Sequence, residues 1–245
     1  MKAISIAVGV AFFLAGLAVI VPGLKAGETK SGGRYQVLAP IRNGNLTIFP
    51  VVAESTHDTG QFLTLDEGLR SGDVVVTEAG NAGPLVRPRP GHPVWNQGPR
   101  SGAQVNQLVL INNSKRPLLL LAGEIVTGGK QDRVIGKDCL VPAESDPVDL
   151  SVFCVEPGRW VASSEKFMAP MAMVQPSVRG KAMADKDQGK VWEQVGRART
   201  SMAESVTVTS GLTAAAPIRE SSSYAFALDS QEVKHQLDRV AVPLQ

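Results

Sequence analysis

The sequence predicts an α+β fold, a mainly antiparallel β-sheet or sandwich with helices packed on it from the C-terminal end. Short apolar runs bounded by turn residues fill the chain up to Trp160, whereas clear helical periodicity is confined to the residues beyond it. No glycine-rich stretch matches G-x-G-x-x-G or the P-loop pattern, so nothing points to a parallel nucleotide-binding sheet. With 245 residues, 43% hydrophobic and 20% charged, the chain can bury a sizeable core. Aromatics are only 5%, so that core must rest on Val, Leu, Ile and Ala.

Met1-Lys2 precedes an uncharged apolar span over residues 3–21, which Pro22-Gly23 closes. Ala26 is a small residue at a cleavage point before Gly27, the layout of a secretory signal. The span also approaches the roughly 20 residues that cross a bilayer. Residues 1–26 are therefore a signal peptide or an N-terminal membrane anchor, and the protein is expected to be exported. It would touch a membrane only through this segment. Residues 27–33 then form a tether, and residues 34–245 a single domain.

Residues 34–42 and 46–53 read as two strands around Asn43-Gly44, a strong hairpin signal. Thr64 and Glu67 have capping-box spacing, which opens a short helix running to Gly72. Residues 74–78 are a further strand. A long loop spans 80–102, where Pro84, Pro88, Pro90, Pro93 and Pro99 alternate with glycines. Its Arg87, Arg89 and Arg100 suit an acidic protein partner, or simply a solvated insertion. Strands are expected at 105–112, 117–126, 133–135, 139–141 and 150–156. Residues 163–190 are poor in pattern, with Met168, Met171, Met173 and Met183 scattered among them. Over 190–204, Val191, Trp192, Val195, Ala198 and Met202 share one helical face. A second capping box at Asp229 and Glu232 opens a last helix carrying Val233, Leu237 and Val240.

Lys and Arg total 25 against 23 Asp and Glu, a near balance that carries no nucleic-acid footprint. His57, His92 and His235 are dispersed and the two cysteines show no ligand spacing, so neither a metal nor a cofactor is expected.

Chemistry concentrates in residues 118–160. There Glu124, Lys130, Asp132, Arg133 and Glu156 sit directly against continuous apolar runs. Such runs read as strands covered on both faces, where charges form either an ion-pair network or a site. Gly128-Gly129 can turn successive N–H groups into an anion-binding nest beside Lys130. Antiparallel pairing would gather Glu124, Asp132, Arg133, Glu156 and Arg159. The two arginines would hold negative charge and the glutamates would accept from hydroxyls. Either Glu124 or Glu156 could act as general base if burial raises its pKa. Gln131 and Trp160 complete the candidate ligand contacts, although Trp160, like Trp192, suits the role of apolar anchor. Cys139 and Cys154 lie on strand-like segments joined by the turn-rich 142–147. They either bridge as a disulfide or remain free, and Cys154 has no histidine in its segment to activate it.

The blocks GEIVTGGKQDRV (123–134) and VFCVEPGRW (152–160) together resemble the ARG-and-rhodanese-phosphatase-superfamily-associated protein domain family. The resemblance runs from about Tyr35 to the last helix. It marks Glu124, Gln131, Asp132, Arg133, Cys154, Glu156, Arg159 and Trp160 as motif positions. By association alone it implies a role near nucleotide or ADP-ribose metabolism, with which an exported amino terminus sits poorly. Family members continue into further strands, which implies that this chain is short at its C-terminus or completes its fold with a partner.

The expectation is an exported domain that binds a small anionic, nucleotide- or sugar-like ligand through a Glu/Arg polar site. One alternative is a hydrolase with a glutamate base. The other is a non-catalytic structural or protein-interaction domain of the cell envelope, meeting a partner at loop 80–102.

Overall fold

The computed structural model describes residues 35–55, 60–82, 85–88 and 104–242. The amino-terminal span, the tether, His57, His92 and most of the proline-rich loop lie outside them. Two compact units are present. The small one holds β1 (Tyr35–Val37) and β4 (Val51–Ala53), an antiparallel ladder in which every residue is exposed. The expected hairpin turn forms between β2 (Ile41–Asn43) and β3 (Leu46–Ile48), with Gly44 at φ 56°. Pro40 and Pro50 stand where each expected long strand breaks in two, since proline cannot donate to a ladder.

The large unit takes in residues 41–47 as well as the chain from His57 onward, where β5 (Leu63–Thr64) leads into α1 (Leu65–Ser71). The capping box forms as expected: Glu67 N–H donates to Thr64 Oγ1 at 3.3 Å and Thr64 N–H donates to the Glu67 carboxylate at 3.0 Å. Gly72 ends the helix at φ 74°.

Five strands make the main sheet, in the order β6 (Val74–Thr77), β7 (Gln107–Asn112), β12 (Val148–Cys154), β10 (Arg133–Ile135) and β9 (Ile125–Val126), all antiparallel. A three-stranded sheet joins β11 (Cys139–Val141), β8 (Leu118–Leu120) and β5, the last pair parallel. The fold is the α+β class that the sequence predicts.

Both faces of the main sheet are covered. Leu108, Leu110, Val126, Ile135 and Val152 share one core cluster, whereas Ile125, Val134, Phe153 and Val155 pack into another with helical residues. Alternation along β9, β10 and β12 therefore feeds two cores, which is why these runs are apolar throughout.

The pattern-poor stretch turns out to be a strap. Phe167 N–H donates to Val76 O on edge strand β6 at 2.9 Å, and Met168 exchanges two bonds with Thr127 just beyond edge strand β9, at 2.8 and 2.9 Å. One segment thus closes the curl of the sheet. The Phe167 ring is buried in the inner core.

One sequence expectation fails here, and the strand pairing that a Cys139–Cys154 bridge would use is absent. Residues 117–126 are not one strand, because Gly123 at φ 98° reverses the chain between β8 and β9, which lie in different sheets. Strands β11 and β12 do not form a hairpin: β11 pairs with β8, and β12 lies between β7 and β10.

The helical layer comprises α2 (Pro176–Gly180), widening into a π-turn over Lys181–Asp185, then α3 (Gln188–Ser210), α4 (Leu212–Glu220), α5 (Tyr224–Asp229) and α6 (Gln231–Ala241). Val191, Val195 and Ala198 of α3 reach the sheet core, as their spacing predicts. Helices α4 and α5 have no counterpart in the sequence reading. Among the described residues no helix is long and apolar enough to cross a membrane.

Candidate functional site

The site is built at the end of the curled sheet where β6 stops, β9 turns into β10, and the strap begins. The turn needs its two glycines. Gly128 has φ 131°, and a Cβ there would lie 2.5 Å from Ser164 Oγ. At Gly129, φ 49°, a Cβ would collide with the Phe167 ring and lie 2.7 Å from Glu78 Oε1. The close approach lets the loop press against both the strap and Glu78.

The anion nest expected at these glycines is filled by the protein's own oxygens. Gly128 N–H donates to Asp132 Oδ1 at 3.2 Å, Gly129 N–H to Ser164 Oγ at 3.3 Å, and Lys130 N–H to Glu78 Oε1 at 3.1 Å. The loop carbonyls are taken as well: Arg159 donates to Gly129 O at 2.8 Å and to Gly128 O at 3.3 Å.

Arg159 also bridges Glu156 Oε2 at 2.6 Å and Asp132 Oδ1 at 3.2 Å. Glu156 Oε2 accepts from Asp132 N–H at 3.0 Å, and Asp132 Oδ2 accepts from the Ser223 hydroxyl at 2.8 Å. Burial raises the Asp132 pKa, and the Ser223 bond partly opposes it. This is a satisfied knot that locks the loop, β12 and α5 together.

Arg133 is different. Its side chain is 0% exposed, on the inner face of β10 shared with Ile135. Nη1 donates to Gln131 O at 2.7 Å, whereas Nε and Nη2 have no partner among the described residues. Burial lowers its pKa, and the charges of Glu78 and Asp132 pull it back up. Gln131 is 5% exposed; its Nε2 donates to Glu156 O, and its Oε1 is unpartnered among the described residues. Glu78, 7% exposed, likewise has no partner for Oε2 among them. Trp160 closes the ring of residues: it is 43% exposed, with Lys130 Nζ 5.2 Å and Arg133 Cζ 5.9 Å from its centroid. Beside it a pocket of about 360 Å³ is lined by Glu78, Asn81, Lys130, Ser163, Ser164 and their neighbours.

Residues 34–244 match the model of the ARG and Rhodanese-Phosphatase-superfamily-associated Protein domain. The chain belongs to this family. No curated protein and no solved structure matches it.

The family's two motif blocks thus bring together Lys130, Gln131, Asp132, Arg133, Glu156, Arg159 and Trp160. Glu124 stands apart at the other end of β9. Its Oε2 accepts from Leu121 N–H at 2.7 Å, tying the turn after β8, and it lines a cleft of about 260 Å³ with Asp66, Met171 and Met173. Burial raises its pKa, and the charge of Asp138 adds to this. Cys154 is buried, and the Gln188 side chain clamps its backbone: the N–H donates to Oε1 at 2.8 Å and Nε2 donates to the carbonyl at 2.9 Å. Burial pushes its thiol pKa up, the reverse of what a nucleophile needs. Cys139 is on the other sheet, and both thiols are free. Among the described residues no group of His, Cys, Asp and Glu is placed to hold a metal.

Glu78 is the contributor that sequence reasoning missed. It follows Val74, Val75, Val76 and Thr77, all buried, so the same juxtaposition that flags Glu124 would have found it.

Proposed function

We propose that this is a binding domain for a small polar ligand, anionic or sugar-like, held in the pocket of Glu78, Lys130, Ser163 and Ser164. The observation that carries it is Glu78, buried in the pocket wall with one carboxylate oxygen unpaired among the described residues. An unpaired buried acceptor costs stability, so its retention favours a partner that is not part of the chain. Lys130 adds a cation at the same wall, and the half-exposed Trp160 ring offers an apolar face close by. Arg159, Asp132 and Glu156 support the floor instead of contacting ligand, because their donors and acceptors already face one another. The same bonds argue against Glu156 as a general base. Export of the domain rests on the layout of residues 1–26.

The test is saturation-transfer NMR of the full chain against a panel of simple sugars, carboxylates and phosphates. Expected is at least one binder whose signal disappears in Glu78→Gln while the melting temperature holds. A panel without a binder, or binders indifferent to Glu78→Gln, would overturn the reading.

A further inference from the structure

The orphaned atoms of the buried ring define a donor and acceptor inventory more specific than the pocket itself. Among the described residues Arg133 has one hydrogen bond, through Nη1. Its two unpartnered donors, Nε and Nη2, are the pair that points from one side of the guanidinium, the edge that forms two parallel bonds to a bidentate group. Among the described residues two acceptors are also unpartnered, Glu78 Oε2 and Gln131 Oε1. These groups are linked locally: Gln131 O holds Arg133 Nη1, the Glu78 charge acts on Arg133, and Lys130 connects Glu78 through its N–H to Trp160 through its ammonium.

An oxyanion would satisfy the two donors and leave both acceptors unmatched, with its charge set against Glu78. A vicinal diol satisfies all four. Each hydroxyl accepts one bond and donates one, so two adjacent hydroxyls accept from Nε and Nη2 while donating to Glu78 and Gln131. We propose that Arg133, Glu78 and Gln131 form a clamp for a vicinal diol of the ligand, entered when the Trp160 ring moves from its place over the guanidinium. This rests on the pocket reading and narrows it from polar ligands in general to diol-bearing sugars. Arg133 is fully covered and Trp160 is 43% exposed, so the ring is the element free to yield. Glu78 and Lys130 both line the neighbouring pocket, so a ligand seated there meets one member of the clamp directly.

The test uses the full chain and three probes: methyl β-D-ribofuranoside, which has one vicinal diol, its 2-deoxy analogue, which has none, and inorganic phosphate. Binding is read by saturation-transfer NMR and by tryptophan fluorescence. The expected result is that the diol binds at least about tenfold more tightly than the deoxy compound, the loss of roughly one buried hydrogen-bond pair. Phosphate should not compete. Arg133→Lys keeps the charge but loses the two-pronged edge, and it should abolish the difference between the two glycosides. Trp160→Phe should retain the preference and lose most of the fluorescence response. Equal binding of both glycosides, or binding of phosphate alone, overturns the diol clamp while the pocket reading stands. No binding of any probe, together with an empty wider panel, removes both. If Arg133→Lys fails to fold, the comparison of the two glycosides on the unaltered protein still decides.

Discussion

Arg159 directs its guanidinium at Gly128 O, Gly129 O, Asp132 and Glu156, whereas the fully covered Arg133 has, among the described residues, one bond and two idle donor nitrogens. Both arginines follow from the same sequence signal, a charge beside apolar runs, and that signal cannot tell a satisfied pair from an unsatisfied one. The difference depends on which backbone carbonyls the glycine turn aims at each guanidinium. Glu124 shows the same limit. Its place among the motif residues suggests a shared network, but the reversal at Gly123 puts it at the far end of β9. Its pKa is raised by burial, so the folded protein holds this proton more tightly than the unfolded chain does. Its contribution to stability is therefore full below the ordinary carboxylate range and is lost as pH rises through its folded value. Glu124→Gln removes that dependence while an acceptor for Leu121 N–H remains. Denaturant midpoints across mildly acidic to neutral buffers should show a flatter profile for the variant, with a neutral-pH midpoint unchanged or raised. A clear drop near neutral pH would show that the carboxylate holds the turn in a way an amide cannot.

At the scale of elements, the capping box at Thr64, the hairpin turn at Asn43-Gly44 and the face of α3 were legible because each is a local rule acting on neighbouring residues. The strap was not. Its contacts are isolated bridges to two strands, Lys166 with Thr77 and Met168 with Thr127, and isolated bridges impose no period on the sequence. The strand at β12 was legible, yet its partners were not, since β11 is nearer in sequence and β7 and β10 are the actual neighbours. Helix α4 was hidden by Pro217 within it. The strap's anchor is Phe167, buried in the inner core beside Val126 and Val152. Phe167→Ala should cost about 3–5 kcal/mol, and at roughly 2–4 °C per kcal/mol its melting temperature should fall by many degrees. A fall of only a degree or two would mean that the backbone bridges alone hold the curl closed.

Across the whole of the large unit, a buried polar link between residues far apart in sequence ties the helical layer to the motif knot. The Ser223 hydroxyl donates to Asp132 Oδ2 at 2.8 Å and accepts from Phe226 N–H at 3.0 Å, so one side chain caps α5 and stabilises a buried carboxylate. Tyr224 comes next, fully buried, with its hydroxyl accepting from Gln175 N–H at 3.0 Å. Ser223→Ala should destabilise by about 1–3 kcal/mol through loss of the cap and of a bond to a charged group. Because the Ser223 bond favours the ionised form of Asp132, the loss should be larger near neutral pH than in mildly acidic buffer. Chemical denaturation at the two conditions checks this, and equal losses would place the whole effect in the α5 cap.

The strap also sets an order of events during synthesis. Edge strands β6 and β9 and every strand between them leave the ribosome before Phe167 and Met168 do. Until those residues emerge, the sheet has two open edges and an inner core without its plug, the exposed state that invites pairing with other chains. The pocket beside Glu78 is therefore among the last parts of the sheet to be made, and a nascent chain held short of the strap is the form of this protein that would most need a chaperone.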